Sequence, residues 1–481
     1  MAVYLICYAI SYLLARQHVY MLSGLVLIIA ALWLYVSDYR REGNLIHLRG
    51  LFCLAFVGGQ GVSCFKLSRL QTDWAGETWL CFLLAAVVFY GAYEAVERAC
   101  GGAQAERGFA RAARGAGRFR GAGLSRPAGP SRPVGLFRPA GPLHPAGPAR
   151  SAHRRLQTRP YFARRILVSM AAVTGVSAAA FAFEAVKLGF IPMFSYGVPH
   201  AYSYFHVSGV HYFTVSAVLV PSLFVLYLFW AEPGRGGRRI FAAVLTGISL
   251  MIPLLCVSRF QLILAVGMAV FTFISVQRTF RLRYVLALLA LMVPAYLALT
   301  VLRSHSVEYL NGIFEMKNPA TPIFVTQPYM YIANNYDNFN CLVEQLGAHS
   351  MGLRMLFPVW ALTGLKFLYP SLVSFPLFVT KEELTTVTLL YDAYYDFGVL
   401  GIVLFAALLG AVTALLARLQ ARSDNPLVHV VYAQIAMYMA LSFFTTWFSN
   451  PATWFYLAAT VAIYLYVGDF FPRFGKNVEK V

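Results

Sequence analysis

The residues able to do chemistry in this chain are few, and most are arginines and aspartates at the edges of apolar runs. Arg259 stands in LLCVSRFQLIL, between two apolar stretches with no room for a loop. A guanidinium held near hydrocarbon is costly, so an anionic partner is expected there. Its planar fork of donors suits phosphate, because it grips two oxygens at once and stays charged. The competing reading is a tight turn whose arginine snorkels to lipid head groups. Arg303, in TVLRSHS, closes an apolar run, and snorkelling accounts for it at least as well. Arg354, in GAHSMGLRMLFP, lies beside His349 in a region poor in other charge. An imidazole there could carry a proton near neutral pH, although a lone histidine is more often a hydrogen-bonded structural residue. Asp392 and Asp396, in TLLYDAYYDFGVLG, are four residues apart and share one helix face. Two such carboxylates could bind a sugar hydroxyl or take its proton. Alternatively, Asp396 caps the helix or pairs with an arginine at the rim.

Other chemistries find no support. His200, His206 and His211 do not stack on one helix face, and no carboxylate lies among them in the sequence. The 7 cysteines are scattered without a CxxC pair. No metal and no other cofactor is therefore expected. Phosphate loops of the GxxxxGK type, HExxH, GxSxG and GxGxxG are all missing. The DFG of 396–398 is not the kinase triplet, since every other kinase element is lacking.

The elements that must position these residues follow from composition. Of 481 residues 59% are hydrophobic and only 12% charged, with a mean hydropathy of +0.63. A soluble domain carries about 25% charged residues. This excludes soluble enzymes, disordered chains and collagen-like fibres, and leaves an all-α polytopic integral membrane protein. Twelve stretches approach the roughly 20 apolar residues that a span needs: 2–15, 19–37, 46–65, 78–96, 166–186, 208–230, 240–257, 260–276, 284–302, 393–416, 428–448 and 452–469. The first is short and lacks the basic start and cleavage site of a signal peptide. With both termini cytoplasmic, every dense cluster of basic residues falls on the cytoplasmic side, as the positive-inside rule requires. The layout is then helices 1–4 in residues 1–97, an Arg-rich loop at 98–165, and helices 5–9 in 166–302. A large outer loop at 303–392, helices 10–12 in 393–470 and a cytoplasmic tail at 471–481 complete it.

The net charge of +19 is concentrated in one place. Residues 98–165 hold 15 arginines against a single acid, Glu106, together with 11 glycines and 8 prolines in loose RPAGP repeats. Such composition cannot bury enough apolar surface to fold, so a disordered loop is expected. It acts either as a tether to anionic lipid or as a tolerated insertion that fixes topology. Nucleic acid is not an expected partner, because no folded reading module is present.

A loop as long as 303–392 is usually functional. Tyr329, Ile332, Tyr336, Phe339 and Val343 recur at helical spacing, with Asn335, Asn338 and Gln345 elsewhere on the surface. This predicts an amphipathic helix against the bilayer or the bundle. Residues 354–379 are apolar pieces cut by Pro358, Gly364, Pro370 and Pro376, too short to span and expected to be interfacial or re-entrant. Tyr391, Tyr394 and Tyr395 mark the return into the membrane.

Four segments carry a resemblance: KLGFIPMF at 187–194, SRFQLIL at 258–264, YIANNYDNFNCL at 331–342, and TTVTLLYDAYYDFGVLGIVLFAALLG at 385–410. Over residues 166–420 the chain resembles the O-antigen and capsule repeat-unit polymerases (Wzy-type), which share their plan with the O-antigen ligases. The Arg-rich insertion departs from that pattern. The resemblance implies a GT-C-like membrane glycosyltransferase of the bacterial cytoplasmic membrane. It would move a growing glycan from undecaprenyl pyrophosphate onto the next lipid-linked repeat unit at the outer leaflet. It further implies metal-independent chemistry, in which Arg259, Arg303 and Arg354 hold the pyrophosphate, and a flippase and a chain-length regulator as partners beside membrane lipids. Catalytic candidates are Arg259, Arg354, His349, Asp392 and Asp396. An O-antigen ligase, another lipid-linked glycan transferase, and a flippase or transporter of lipid-linked sugar are the alternatives. A transporter should show paired broken helices in two repeated halves, and no clear repeat is present.

Overall fold

The computed structural model of the chain describes residues 1–116, 160–195, 201–231, 236–277 and 312–468. The expected span 284–302, most of the Arg-rich stretch, Arg303, His200 and the tail lie outside the described residues. Within them the chain is helical, with one isolated antiparallel bridge between Ser68 and Met316 and no strand. Seven helices are long and apolar enough to cross a membrane. They are Tyr20–Glu42, Gly76–Cys100, Tyr161–Leu188, His211–Trp230, Gly236–Leu255, Arg259–Gln277 and Tyr391–Arg422. Four shorter apolar helices, Ala2–Arg16, Leu48–Ser63, Val428–Ala440 and Pro451–Val467, stand beside them. This is the make-up of a multi-pass membrane protein.

Some expected spans are interrupted, each for a local reason. The stretch 46–65 is broken by a π-helical turn at Cys53–Val57. A π-turn widens the helix, and here the Phe56 carbonyl accepts from the Tyr336 hydroxyl at 2.6 Å. The stretch 428–448 is helical only to Ala440. An irregular segment follows and ends where Asn450 caps the next helix, accepting from the Ala452 N–H at 2.9 Å, with Pro451 in its first turn. The Tyr391–Arg422 helix is kinked at Phe397 and Gly398. Gly398 has φ +59°, a left-handed conformation that glycine adopts without steric cost. The first turn, Tyr391–Asp396, is thereby set off from the rest of the span. Further along, Gly410 lets this helix close on Gly76–Ala116: a Cβ there would lie 2.4 Å from the Phe89 carbonyl oxygen.

The helix Ile323–Gln345 corrects one expectation. It does pack on the bundle, but Asn335 and Asn338 are fully buried rather than at the surface. Asn338 donates to the carbonyls of Leu384 and Thr386 at 2.7 and 2.8 Å, and its side-chain oxygen accepts from the Thr380 N–H at 2.8 Å. Asn335 donates to the Phe443 carbonyl at 2.8 Å and accepts from Thr386 at 2.6 Å. Buried amides need partners, and these bind two irregular segments, 380–386 and 441–450, to one post.

Glu77 and Glu94 mark two ends of the bundle, about 26 Å apart at 1.5 Å per residue. At the Glu94 end Arg49 is fully buried and grips both oxygens of Asp38, Nε to Oδ2 at 2.9 Å and Nη2 to Oδ1 at 2.5 Å. Its guanidinium lies over the Tyr90 and Tyr93 rings at 4.5 and 5.0 Å. Glu42, His47 and Glu97 bring one ligand atom each within 4.8 Å of one another beside it. Arg49 already brings positive charge to this acidic group, standing 3.8 Å from Glu97.

Candidate functional site

At the Glu77 end, the turn Tyr391–Asp396 faces the segment 349–357. Tyr394 donates to Glu77 at 2.8 Å, which ties the turn to the Gly76–Ala116 helix. The Asp396 carboxylate is fully buried and accepts from the Arg354 and Met355 N–H groups at 3.1 and 2.8 Å and from the Ser350 hydroxyl. Three donors on a buried carboxylate fix the 350–355 turn. Both Asp396 oxygens are thus occupied by donors within the protein.

That turn presents Arg354. Its Nε donates to Asp392 Oδ1 at 2.7 Å, and its guanidinium lies 4.4 Å over the Tyr395 ring and 5.5 Å from that of Tyr391. The Tyr391 hydroxyl in turn clamps Phe378, accepting from its N–H at 2.8 Å and donating to its carbonyl at 2.9 Å. Among the described residues the terminal nitrogens of Arg354 make no hydrogen bond, and the side chain remains 17% exposed. The residue lines a cavity of about 350 Å³ together with Asp392, Phe357, Phe375, Thr446 and Asn450 among others. A fixed guanidinium with free donors, backed by aromatic rings and opening on a cavity with hydroxyl and amide groups, is suited to an anion carrying polar substituents.

The remaining candidates divide. Asp392 joins the site as the partner of Arg354. His349 is exposed and donates from Nδ1 to the Tyr395 carbonyl at 3.3 Å. Its far edge rests on the kink, where a Cβ on Gly398 would meet Cε1 and Nε2 at 3.1 Å, and it is not among the cavity-lining residues. Arg259 is buried at the start of its helix, just after Val257, which has φ +51°. It does not line the cavity, but Phe260 next to it stacks on Phe444 and Trp447 at 5.3 and 5.7 Å. The same irregular segment supplies Thr446 and Asn450 to the cavity. Met193 packs with Val257 and Leu262, so KLGFIPMF and SRFQLIL meet in space.

Two groups were not singled out by sequence. Asp337 is buried and accepts from Lys66 at 2.6 Å, Gln71 at 2.7 Å, Trp74 at 2.8 Å and Ser63 at 3.0 Å. The second is Glu184, also fully buried, which accepts from Thr214 at 2.7 Å, the Val207 N–H at 2.9 Å and His211 at 3.1 Å. The histidines 206 and 211 therefore do have a carboxylate neighbour, one supplied by a distant helix. The His206 and His211 rings meet edge to face at 5.0 Å. Burial, then repulsion from His211, lowers the His206 imidazole below its ordinary range, with Lys366 acting in the same sense. Only tertiary contact could reveal either group.

Comparison with protein-family models, with curated proteins and with solved structures finds no match to this chain.

Proposed function

We propose that this protein is a membrane glycosyltransferase that polymerises undecaprenyl-pyrophosphate-linked repeat units at the outer leaflet of the bacterial cytoplasmic membrane, in surface polysaccharide synthesis. The observation that supports it best is the open guanidinium of Arg354 over its cavity. In this reading the bond between the glycan's anomeric carbon and the pyrophosphate oxygen breaks, and a bond to an acceptor hydroxyl oxygen forms. The pyrophosphate leaves with the electron pair. Arg354 meets that charge with its two terminal nitrogens, and stabilising a departing anion is often the largest catalytic term. Asp392 and the Tyr391 and Tyr395 rings hold the guanidinium in place beforehand. Arg259, buried beside the Phe260 ring that stacks on the segment completing the cavity, serves in this reading as the second cation.

Exposed Phe367, Leu368 and Tyr369 suit insertion at the bilayer surface beside the cavity, where a polyprenyl carrier would lie. The test is deletion of the gene in its host, followed by glycan analysis on the lipid carrier. Single repeat units should accumulate on undecaprenyl pyrophosphate at the outer leaflet. Accumulation at the inner leaflet would instead mark a flippase, and long chains left on the carrier would mark a ligase.

A further inference from the structure

The transfer above needs a group to accept the proton of the acceptor hydroxyl. Asp396 is fully engaged, Asp392 is bound to Arg354, and His349 rests on the helix kink. We propose that His211, oriented by buried Glu184, is that general base, an inference that rests on the transferase reading. Glu184 accepts the Nδ1 proton of His211 at 3.1 Å, while Thr214 and the Val207 N–H hold the carboxylate itself. With Nδ1 committed as a donor, the lone pair of the neutral imidazole is at Nε2. The carboxylate behind the ring then stabilises the imidazolium once it forms, as in other histidine bases oriented by a buried acid. The His211 side chain is 21% exposed, while Glu184 is completely enclosed.

His211 does not itself line the Arg354 cavity, but packed neighbours connect the two. Tyr212 and Phe213 pack on Phe455 at 5.8 and 4.9 Å. Phe455 lies one turn beyond Pro451 on the same helix face, and Pro451 lines the Arg354 cavity. Lys366 follows the short helix Phe357–Leu362, whose first residue lines that cavity too, and its charge reaches His206. Ionisable neighbours include His206, whose ring meets that of His211, Lys366, whose charge acts on His206, and Cys256, which faces Glu184. In the step, the acceptor hydroxyl proton passes to Nε2 of His211 as its oxygen bonds the anomeric carbon. The pyrophosphate departs toward Arg354, and the imidazolium later returns the proton to water.

The experiment uses the full chain in lipid nanodiscs, with lipid-linked oligosaccharide extracted from host cells lacking the protein. Rates of chain elongation are followed from pH 5 to 9 for wild type, His211→Gln, Glu184→Gln and Arg354→Ala, with melting temperatures recorded alongside. Glutamine at 211 keeps an amide donor for Glu184 but cannot take a proton. His211→Gln should lower kcat about 100- to 10,000-fold at little change in KM, and abolish the acid limb of the wild-type profile. Glu184→Gln should lower kcat by a smaller factor than His211→Gln, because the imidazolium loses its counter-charge. A His211→Gln protein with wild-type kcat and an unchanged acid limb, beside an inactive Arg354→Ala, would overturn the base assignment and leave the transferase reading standing. Failure of the wild type to join repeat units would remove both.

Discussion

Two arginine–aspartate pairs sit at opposite ends of this bundle and are built for different ends. Arg49 engages both oxygens of Asp38, is covered by two tyrosine rings, and is completely enclosed. Arg354 touches Asp392 through Nε alone, and its side chain lines a cavity. A guanidinium has five donors. The decisive variable is whether the donors left over are enclosed or open on a cavity. Where Nε and Nη2 hold one carboxylate and the remaining Nη1 is enclosed near Glu94 and Glu97, as with Arg49, the pair is a staple between helices. Where the protein uses only the inner edge, as with Arg354, the outer edge is kept for something else. Residue type and flanking sequence do not distinguish the two cases.

The comparison is broken most forcefully at the closed pair. Arg49→Ala should cost about 3–5 kcal/mol of stability, since it strands a buried carboxylate. Denaturant unfolding in detergent, or loss of protein from the membrane, measures it. Full stability in that variant would refute the staple reading.

Arg259 sharpens the contrast, being buried yet close to the cavity segment. Arg259→Ala should slow chain growth by a factor of about 100 to 1,000 while protein level holds, and Arg259→Lys should restore only part of it. Protein loss instead would place Arg259 with Arg49.

Asp396→Asn tests the turn that presents Arg354. Hydrogen bonds to a charged acceptor are worth about 1.5–3 kcal/mol, and an amide keeps part of this. A modest drop in melting temperature and roughly tenfold slower elongation are expected, the latter because about 1.4 kcal/mol of misplacement is a factor of ten. An equal or larger loss than in Arg354→Ala would return Asp396 to direct chemistry.

The smallest effect is expected from removing residues 105–155, an arginine-, glycine- and proline-rich stretch with a single acid, Glu106. Polymer length and yield should match wild type at equal protein level. Abolished polymer would show that this cationic stretch belongs to the working machinery.

Much of this was legible in the sequence, and the illegible parts share a cause. Apolar length located the seven long helices, and the spacing of Asp392 and Asp396 did put both on the turn that meets Arg354. Yet the two carboxylates have opposite fates, one at the cavity and one beneath a turn 40 residues away. Periodicity reads asparagine as water-facing, so it misplaced Asn335 and Asn338, whose partners are backbone carbonyls of remote irregular segments. The early end of the helix at Ala440 is invisible to hydropathy, because the residues after it are as apolar as those before. Glu184 and His211 are 27 residues apart across a turn-rich segment, and no local pattern joins them. Sequence reports which groups are costly to bury; only the fold reports which of them have been satisfied.

The most direct test of the central claim is the length distribution of glycan made by Arg354→Ala and Arg354→Lys in nanodiscs, at matched protein and with matched melting temperatures. Loss of the open guanidinium should leave the protein folded and the lipid-linked repeat units unjoined. The lysine variant should make short products at a rate between the two, since a point charge attracts pyrophosphate without bridging its oxygens. Long chains from Arg354→Ala at near wild-type rate would contradict the account.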